Sequence, residues 1–189
     1  MKNRYGIDIW SDDNFFIEDG VVKVNYKPYP SLIKIVKDVR KQGFKGPLLL
    51  RFPHITKKQV KTLFNTFNAS IKEYDYKGKF NAVFPLKVNQ LPNFIHPLVS
   101  YGKKYSYGLE AGSKAELIIA MTYNNMGSPI TINGFKDKEM IHLCFIAKSM
   151  GHDITVIIEG LNELEMILEV LKETKMEAPN VGLRVRLHS

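Results

Sequence analysis

Polar side chains recur in this sequence where short apolar runs end, at intervals of about one β/α unit. They are Arg51, Lys87, Glu110, Asn133 and Glu159, followed by Arg184, Arg186 and His188. Amines, carboxylates, guanidinium groups and imidazoles can attack carbonyls, move protons or hold anions. Turns are commonly polar, which would explain any single position without chemistry. If the ends of the runs gather at one edge, however, the pattern predicts an enzyme site.

Lys87 is the residue best suited to covalent chemistry. It is a single lysine among apolar neighbours, in Phe84-Pro85-Leu86-Lys87-Val88, at the exit of a predicted strand. Loss of water favours the neutral amine, which can attack a carbonyl and form a Schiff base. A lysine that extends its ammonium group into solvent fits the same position. The residues alone leave both interpretations open.

Two arginines near the end of the sequence predict an anionic partner. Arg184 and Arg186 alternate with Leu183, Val185 and Leu187 in a predicted strand that we expect to be covered. A buried guanidinium group needs an anion or hydrogen-bond acceptors. A phosphate, or a carboxylate from a neighbouring strand, would meet that need.

Glu116 could belong to the same site, but it also has a structural explanation. Ser113 and Glu116 have the spacing of a capping box, in which a hydroxyl and a carboxylate accept from free N–H groups at a helix start. This explanation requires no chemistry.

The elements that must position these groups are short apolar strands alternating with amphipathic helices. Strands are predicted at 48–52, 81–86, 106–109, 130–132, 154–158 and 181–187. Near-continuous apolar runs, such as Leu48-Leu49-Leu50 and Val156-Ile157-Ile158, are typical of parallel strands covered on both faces. Six β/α units predict an α/β fold, either an open doubly wound sheet or a barrel. Both folds bind ligands at the carboxyl ends of their strands.

The first part of the chain has a different pattern. Residues 15–18 and 21–25 flank Asp19-Gly20, which predicts a hairpin. Ser31 can cap a helix that runs to about Gln42, with Gly43 as its stop. We therefore divide the chain into an arm, residues 1–45, and a β/α part, residues 46–189. Further helix starts are predicted at Thr56 and Asn162.

Composition excludes several classes of protein. The 189 residues contain 44% hydrophobic residues, which is ordinary for a globular chain, and no run approaches the ~18 apolar residues of a membrane span. The net charge of +8 comes from lysines scattered over helix faces, so we expect no nucleic-acid partner. The single cysteine, Cys144, is interpreted as a small core residue, and a cytoplasmic location fits best. Dinucleotide, P-loop, metal-ligand and serine-hydrolase motifs are missing from the sequence.

Several segments together resemble the bacterial biosynthetic arginine decarboxylases. They are Tyr5-Gly6-Ile7-Asp8-Ile9-Trp10-Ser11, Pro47-Leu48-Leu49-Leu50-Arg51-Phe52-Pro53, Phe84-Pro85-Leu86-Lys87-Val88-Asn89-Gln90, Tyr107-Gly108-Leu109-Glu110-Ala111-Gly112-Ser113-Lys114, Asn133-Gly134-Phe135-Lys136-Asp137 and Gly182-Leu183-Arg184-Val185-Arg186-Leu187. More distantly, the sequence is similar to ornithine and diaminopimelate decarboxylases and alanine racemase.

The resemblance implies a (β/α)8 TIM barrel that uses pyridoxal 5'-phosphate to convert L-arginine to agmatine and CO2, for putrescine and spermidine synthesis. It implies that Lys87 forms the Schiff base, that Glu110 and Arg184 lie near the cofactor, and that Glu116 is the downstream acidic neighbour. Magnesium and a homo-oligomer, a dimer or a dimer of dimers at full length, are implied by the family only. The remaining polar residues named above would line the mouth of the site.

One departure from the family concerns length. With 189 residues the chain offers six predicted strands of eight, below the ~250 residues of such barrels. We expect it to be the N-terminal part of the enzyme, without the glycine-rich phosphate loop, the acidic partner of the ring nitrogen and the C-terminal β domain, and inactive alone. The alternatives are another decarboxylase or a racemase of this barrel type, a non-catalytic barrel that binds the cofactor, and a basic nucleic-acid-binding module.

Overall fold

The structure, a computed structural model, describes residues 4–185 and residue 187. It has two compact units, Met1–Ile55 and Thr56–Ser189. The division of the chain into two domains, residues 1–45 and 46–189, stays a prediction from the sequence.

The first unit is built around a hairpin. A 3-10 turn, Arg4–Gly6, leads into the short helix α1, Ile7–Trp10, and strands β1, Phe15–Glu18, and β2, Val21–Val24, pair antiparallel. Asp19 and Gly20 connect the strands with φ angles of 52° and 73°, so the predicted hairpin is confirmed. Both positions need the left-handed region, which Asp tolerates and Gly adopts freely.

Helix α2, Leu32–Lys41, follows the hairpin and begins as predicted. The hydroxyl of Ser31 accepts a hydrogen bond from the N–H of Lys34 at 3.2 Å, which satisfies one free donor of the first turn. Gln42 caps the C-terminus and Gly43 follows with a φ of 92°, the conformation that ends many helices.

The strand predicted at 48–52 is wrong. These residues have no strand partner in the described part of the chain, and Leu49 is exposed. An apolar run becomes a strand only when another strand satisfies its backbone groups. Helix α3, Pro53–Glu73, begins directly afterwards, so Arg51 does not lie at a strand end.

The second unit contains a five-stranded parallel sheet in the order β3-β4-β5-β6-β7. The strands are β3 Val83–Pro85, β4 Gly108–Ala111, β5 Pro129–Ile132, β6 Asp153–Ile158 and β7 Asn180–Leu183. The connecting helices are α4 Pro92–Gly102, α5 Lys114–Tyr123, α6 Lys138–Ser149 and α7 Leu161–Thr174. The α/β class with a parallel sheet is confirmed, with five strands in place of the six predicted.

One hydrophobic core joins the sheet to helices α4 to α7. Leu109, Ile130, Ile132, Ile154 and Val156 are fully buried in it, as continuous apolar strands predict. Helix α6 adds Ile141, Cys144 and Phe145, so the interpretation of Cys144 as a core residue is confirmed.

Two predicted helix starts and one strand length are wrong. Thr56 lies inside α3, because Pro53 already supplies a favourable first residue. Helix α7 has Gly160 as its N-cap, so Asn162 lies inside the first turn. Strand β7 ends at Leu183 instead of 187, and Val185 beyond it is exposed. None of the helices in residues 4–185 is long and apolar enough to cross a bilayer.

Candidate active site

The parallel strands place five of the predicted residues along one edge of the sheet. Lys87 follows β3, Glu110 lies near the end of β4, Asn133 follows β5, Glu159 follows β6 and Arg184 follows β7. Because the strands are parallel and neighbours in sequence order, these groups lie at the same carboxyl edge. This edge is the candidate active site.

Three predicted residues do not belong to the described part of the second unit. Arg51 lies in the first compact unit. Arg186 and His188 lie outside the described residues.

Lys87 is accessible at this edge. Strand β3 ends at Pro85 and a 3-10 turn, Leu86–Val88, follows. The turn buries Leu86 completely and leaves Lys87 and Val88 exposed. Of the two interpretations that the sequence left open, the exposure of Lys87 in this chain fits a lysine whose amine lies in solvent.

Glu110 and Asn133 lie between Lys87 and the last two strands. Glu110 is half-buried and is in register with Pro85, two residues before the lysine. Leu109 and Ala111 on either side point into the core, so Glu110 faces the opposite side of the sheet. Asn133 is half-buried, and its N–H donates to the carbonyl oxygen of Ala111 at 3.0 Å.

Glu116 does more than cap a helix. The Ser113 hydroxyl accepts from the N–H of Glu116 at 3.3 Å, as the capping box predicts. The carboxylate, however, does not return to Ser113. It accepts from the N–H of Gly112 at 2.7 Å and from the side chain of Gln90 at 2.8 Å, and it is buried.

Glu159 and Arg184 form an ion pair across the ends of β6 and β7. Arg184 Nη1 donates to Glu159 Oε1 at 3.1 Å, and the N–H of Gly134 donates to the same oxygen at 2.9 Å. The Gly134 N–H, with the guanidinium group of Arg184 as a further contribution, lowers the pKa of Glu159 below its ordinary value. Of the two anionic partners that the sequence predicted for Arg184, a phosphate or a carboxylate from a neighbouring strand, the structure shows the carboxylate.

Arg184 is not buried, although the sequence predicted a covered strand. About half of its side chain is exposed, 51% by area. The reason is that β7 ends one residue earlier and has no further strand beside it among the described residues.

A buried ion pair behind this edge was not predicted. Lys136 and Glu163 are 3.1 Å apart, with side chains 0% and 4% exposed. Both lie in segments that look like solvated turns and helix starts, and the partners are distant in sequence. The only available signal was Lys136 within the Asn133-Gly134-Phe135-Lys136-Asp137 segment of the family resemblance.

A cleft of about 520 Å³ opens beside the ion pair of Glu159 and Arg184. It is lined by Phe135, Gly160 and Asn162 together with the ion pair and the buried Lys136 and Glu163. Within residues 4–185, no three His, Cys, Asp or Glu side chains come together as metal ligands would.

Comparisons with known proteins extend this description. No family model matches the chain. It is 36% identical to the biosynthetic arginine decarboxylase of Prochlorococcus marinus over 99% of its residues, and 39% identical to that of Citrifermentans bemidjiense over 98%. In both cases it spans 30% of the relative's length.

Two solved structures have the same fold. The biosynthetic arginine decarboxylase of Campylobacter jejuni superposes with a TM-score of 0.94 and 60% identity, over 97% of this chain and 31% of that one. The diaminopimelate decarboxylase of M. jannaschi superposes with a TM-score of 0.67 and 24% identity, over 92% and 36% of the two chains.

The fold is that of a segment of a TIM barrel, as in these decarboxylases. More particularly, the chain is homologous to the biosynthetic arginine decarboxylases over nearly all of its residues. The predicted family resemblance is confirmed, and the chain spans about a third of the length of the relatives that it matches, 30% and 31% in the cases above.

Proposed function

We propose that the polypeptide carrying this chain decarboxylates L-arginine to agmatine with pyridoxal phosphate, and that Lys87 holds the cofactor. The observation that carries the proposal is the accessible amine of Lys87 at the carboxyl end of β3, on the edge where Glu159 and Arg184 also lie. Homology to proteins named biosynthetic arginine decarboxylases supports the substrate and the reaction.

The residues present fit this cofactor. Its aldehyde needs an accessible primary amine, which Lys87 provides, and its phosphate is an anion that a cationic edge attracts. When bound, pyridoxal phosphate supplies a ring system that accepts the electron pair left behind by CO2. Lys87 and Arg184 leave strands four positions apart in the sheet order, and such strands face each other in an eight-stranded barrel.

Four side chains of the edge have a physical role in this proposal. Lys87 would hold the cofactor through its amine, and the same amine would be a base or acid within reach of the reacting atoms. Arg184 presents a cation whose direction is fixed by Glu159. Glu110, facing the side of the sheet opposite the core, places a carboxylate on the strand next to the one that Lys87 follows.

The test uses the full-length polypeptide that carries this chain. Borohydride reduction in the presence of pyridoxal phosphate should attach the cofactor permanently to the peptide that contains Lys87, as read by mass spectrometry. Lys87→Ala should abolish arginine-dependent release of CO2. The matched control is Lys172→Ala, which removes an exposed lysine from the last turn of α7 and should leave both measurements unchanged.

Three outcomes would contradict the proposal. Label on another lysine would refute the assignment of Lys87. Cofactor binding without release of CO2 from arginine would favour a racemase, another decarboxylase or a non-catalytic barrel, which product analysis separates. Failure to bind pyridoxal phosphate at all would remove the basis of the assignment.

We place the reaction in putrescine and spermidine synthesis in the cytoplasm, carried out by a homo-oligomer. The family name supports the biosynthetic role. Magnesium stays an expectation of the resemblance, which activity measured with and without a chelator would test.

A further inference from the structure

The buried ion pair of Lys136 and Glu163 has no obvious value for stability. Its side chains are 0% and 4% exposed, with 3.1 Å between Nζ and Oε2. Moving two charges out of water costs about as much as their attraction returns, and apolar replacements of similar size are often neutral or stabilising. Such a pair therefore calls for a role that apolar side chains could not perform.

Both charged groups bind backbone at the candidate active site. Lys136 Nζ donates to the carbonyl oxygen of Gly134 in addition to its contact with Glu163. Glu163 Oε1 accepts from the N–H of Lys136 at 3.3 Å, and Oε2 accepts from the N–H of Glu159 at 2.9 Å. One carboxylate, placed in the first turn of α7, thus fixes the loops that follow β5 and β6.

The same two loops contact the exposed ion pair of Glu159 and Arg184. Glu159 Oε1 accepts from the N–H of Gly134 at 2.9 Å and from Arg184 at 3.1 Å. Gly134 has a φ of 78°, and a Cβ atom there would come within 3.1 Å of the carbonyl oxygen of Gly112. The loop after β5 is therefore packed closely against the loop after β4, and its Gly134 carbonyl is hydrogen-bonded to Lys136.

We infer that Lys136 and Glu163 are positioning residues that orient Arg184 through Glu159. The contacts form a closed circuit, from Lys136 to Glu163, to the backbone of Glu159, through its carboxylate to Gly134 and back to Lys136. With the circuit intact, the carboxylate of Glu159 has one direction, and so has the guanidinium group that it binds. The functional meaning of that direction depends on the function proposed above for the site.

The test replaces the pair by apolar residues in the full-length polypeptide. The variant K136M/E163L should still fold, because an apolar pair can fill the same volume, but its Tm should be lower than that of the parent, since the N–H groups of Lys136 and Glu159 lose the acceptor that Glu163 supplies. Hydrogen exchange at Gly134 should become faster, although its acceptor Glu159 is unchanged. The Kd for pyridoxal phosphate should rise by about tenfold, as expected when a binding group loses its orientation.

A third substitution separates positioning from packing. Glu159→Ala alone should also raise the Kd, and adding it to K136M/E163L should cause little further change, since all three residues act through one circuit. The control K138M/E173L removes an exposed ion pair of α6 and α7, with 2.6 Å between Nζ and Oε1, and should change neither exchange at Gly134 nor the Kd.

Each outcome decides the inference. A parental Kd and parental protection of Gly134 in K136M/E163L would overturn it, as would an effect fully additive with Glu159→Ala. If that variant does not fold, Glu163→Gln keeps the shape but loses one acceptor, and it must then show faster exchange at the N–H of Glu159 or Lys136 with a raised Kd. If the parent binds no pyridoxal phosphate, the proposed function fails, and exchange at Gly134 alone decides whether the circuit positions Glu159.

Discussion

Glu116 accepts a hydrogen bond from the side chain of Gln90 at 2.8 Å. This bond joins the loop that follows Lys87 to the first turn of α5. Its second oxygen accepts from the N–H of Gly112 at 2.7 Å, at the end of β4. A residue whose spacing suggests a helix cap therefore connects two loops of the candidate active site.

Replacing Glu116 by Ala should destabilise the fold more than loss of a helix cap alone. The change leaves the N–H of Gly112 without its acceptor in a partly buried place, at a cost of about 1–3 kcal/mol. The Tm of the full-length polypeptide should fall, and Glu116→Gln, which retains an acceptor oxygen, should lower it less. Glu139→Ala on the exposed start of α6 is the control. Equal melting of parent and Glu116→Ala would contradict this account.

Gly108 should not tolerate a side chain. A Cβ atom on Gly108 would lie 1.9 Å from the carbonyl oxygen of Pro129 on the neighbouring strand, where backbone has little freedom to move. Gly108→Ala should therefore lower stability by about 1–3 kcal/mol or more, measured as a lower Tm or as loss of soluble protein. At Gly182 the atom nearest to a Cβ would be the end of the Ile157 side chain, which can move, so Gly182→Ala should be milder. The reverse order would refute the close approach of β4 and β5.

The contribution of Glu159 to stability should depend on pH. Its pKa in the folded state is lowered, mainly by the N–H of Gly134 and then by Arg184. A lowered carboxyl pKa stabilises the fold above the ordinary value of about 4.3, and the stabilisation is lost as pH falls through the folded-state pKa. Glu159→Gln should therefore reduce the Tm near neutral pH, with a difference that narrows under acidic conditions. A constant difference across the pH range would show that ionisation is not involved.

Cys144 should be chemically inert in the folded protein. Burial raises the pKa of its thiol to about 12, and the thiolate is the form that reacts. Iodoacetamide at about pH 8 should leave the peptide with Cys144 unmodified in the native state and label it after denaturation. Rapid labelling of the native protein would show that α6 separates readily from the sheet.

Strands of the sheet were predictable from the sequence where burial on both faces requires a continuous apolar run. Val156 and Ile158 lie in a continuous apolar run of β-branched residues, which is typical of a covered parallel strand, and both are buried. The run at Leu48-Leu49-Leu50 is equally apolar but has no strand partner in the described residues, so its prediction as a strand was wrong. Composition predicts the tendency to form a strand, whereas pairing depends on the neighbours that the fold supplies.

The sequence predicted which residues belong to the candidate site better than it predicted which of them contact each other. Spacing placed Lys87, Glu159 and Arg184 at strand ends. The sequence also predicted that Arg184 would have an anionic partner, but it did not identify that partner as Glu159. Lys136 and Glu163 could not be paired in advance, since they are 27 positions apart and meet only after two loops have folded. The exposure of Lys87 depends on a single 3-10 turn, which no periodicity reveals.

Each strand of the parallel sheet has its hydrogen-bonded neighbour directly before or after it along the chain. During synthesis, a strand that leaves the ribosome therefore meets a partner that is already present, and assembly can proceed by stepwise addition with short-range loop closure. The same arrangement means that a loop at the carboxyl edge can change in length or composition while disturbing only the two adjoining β/α units.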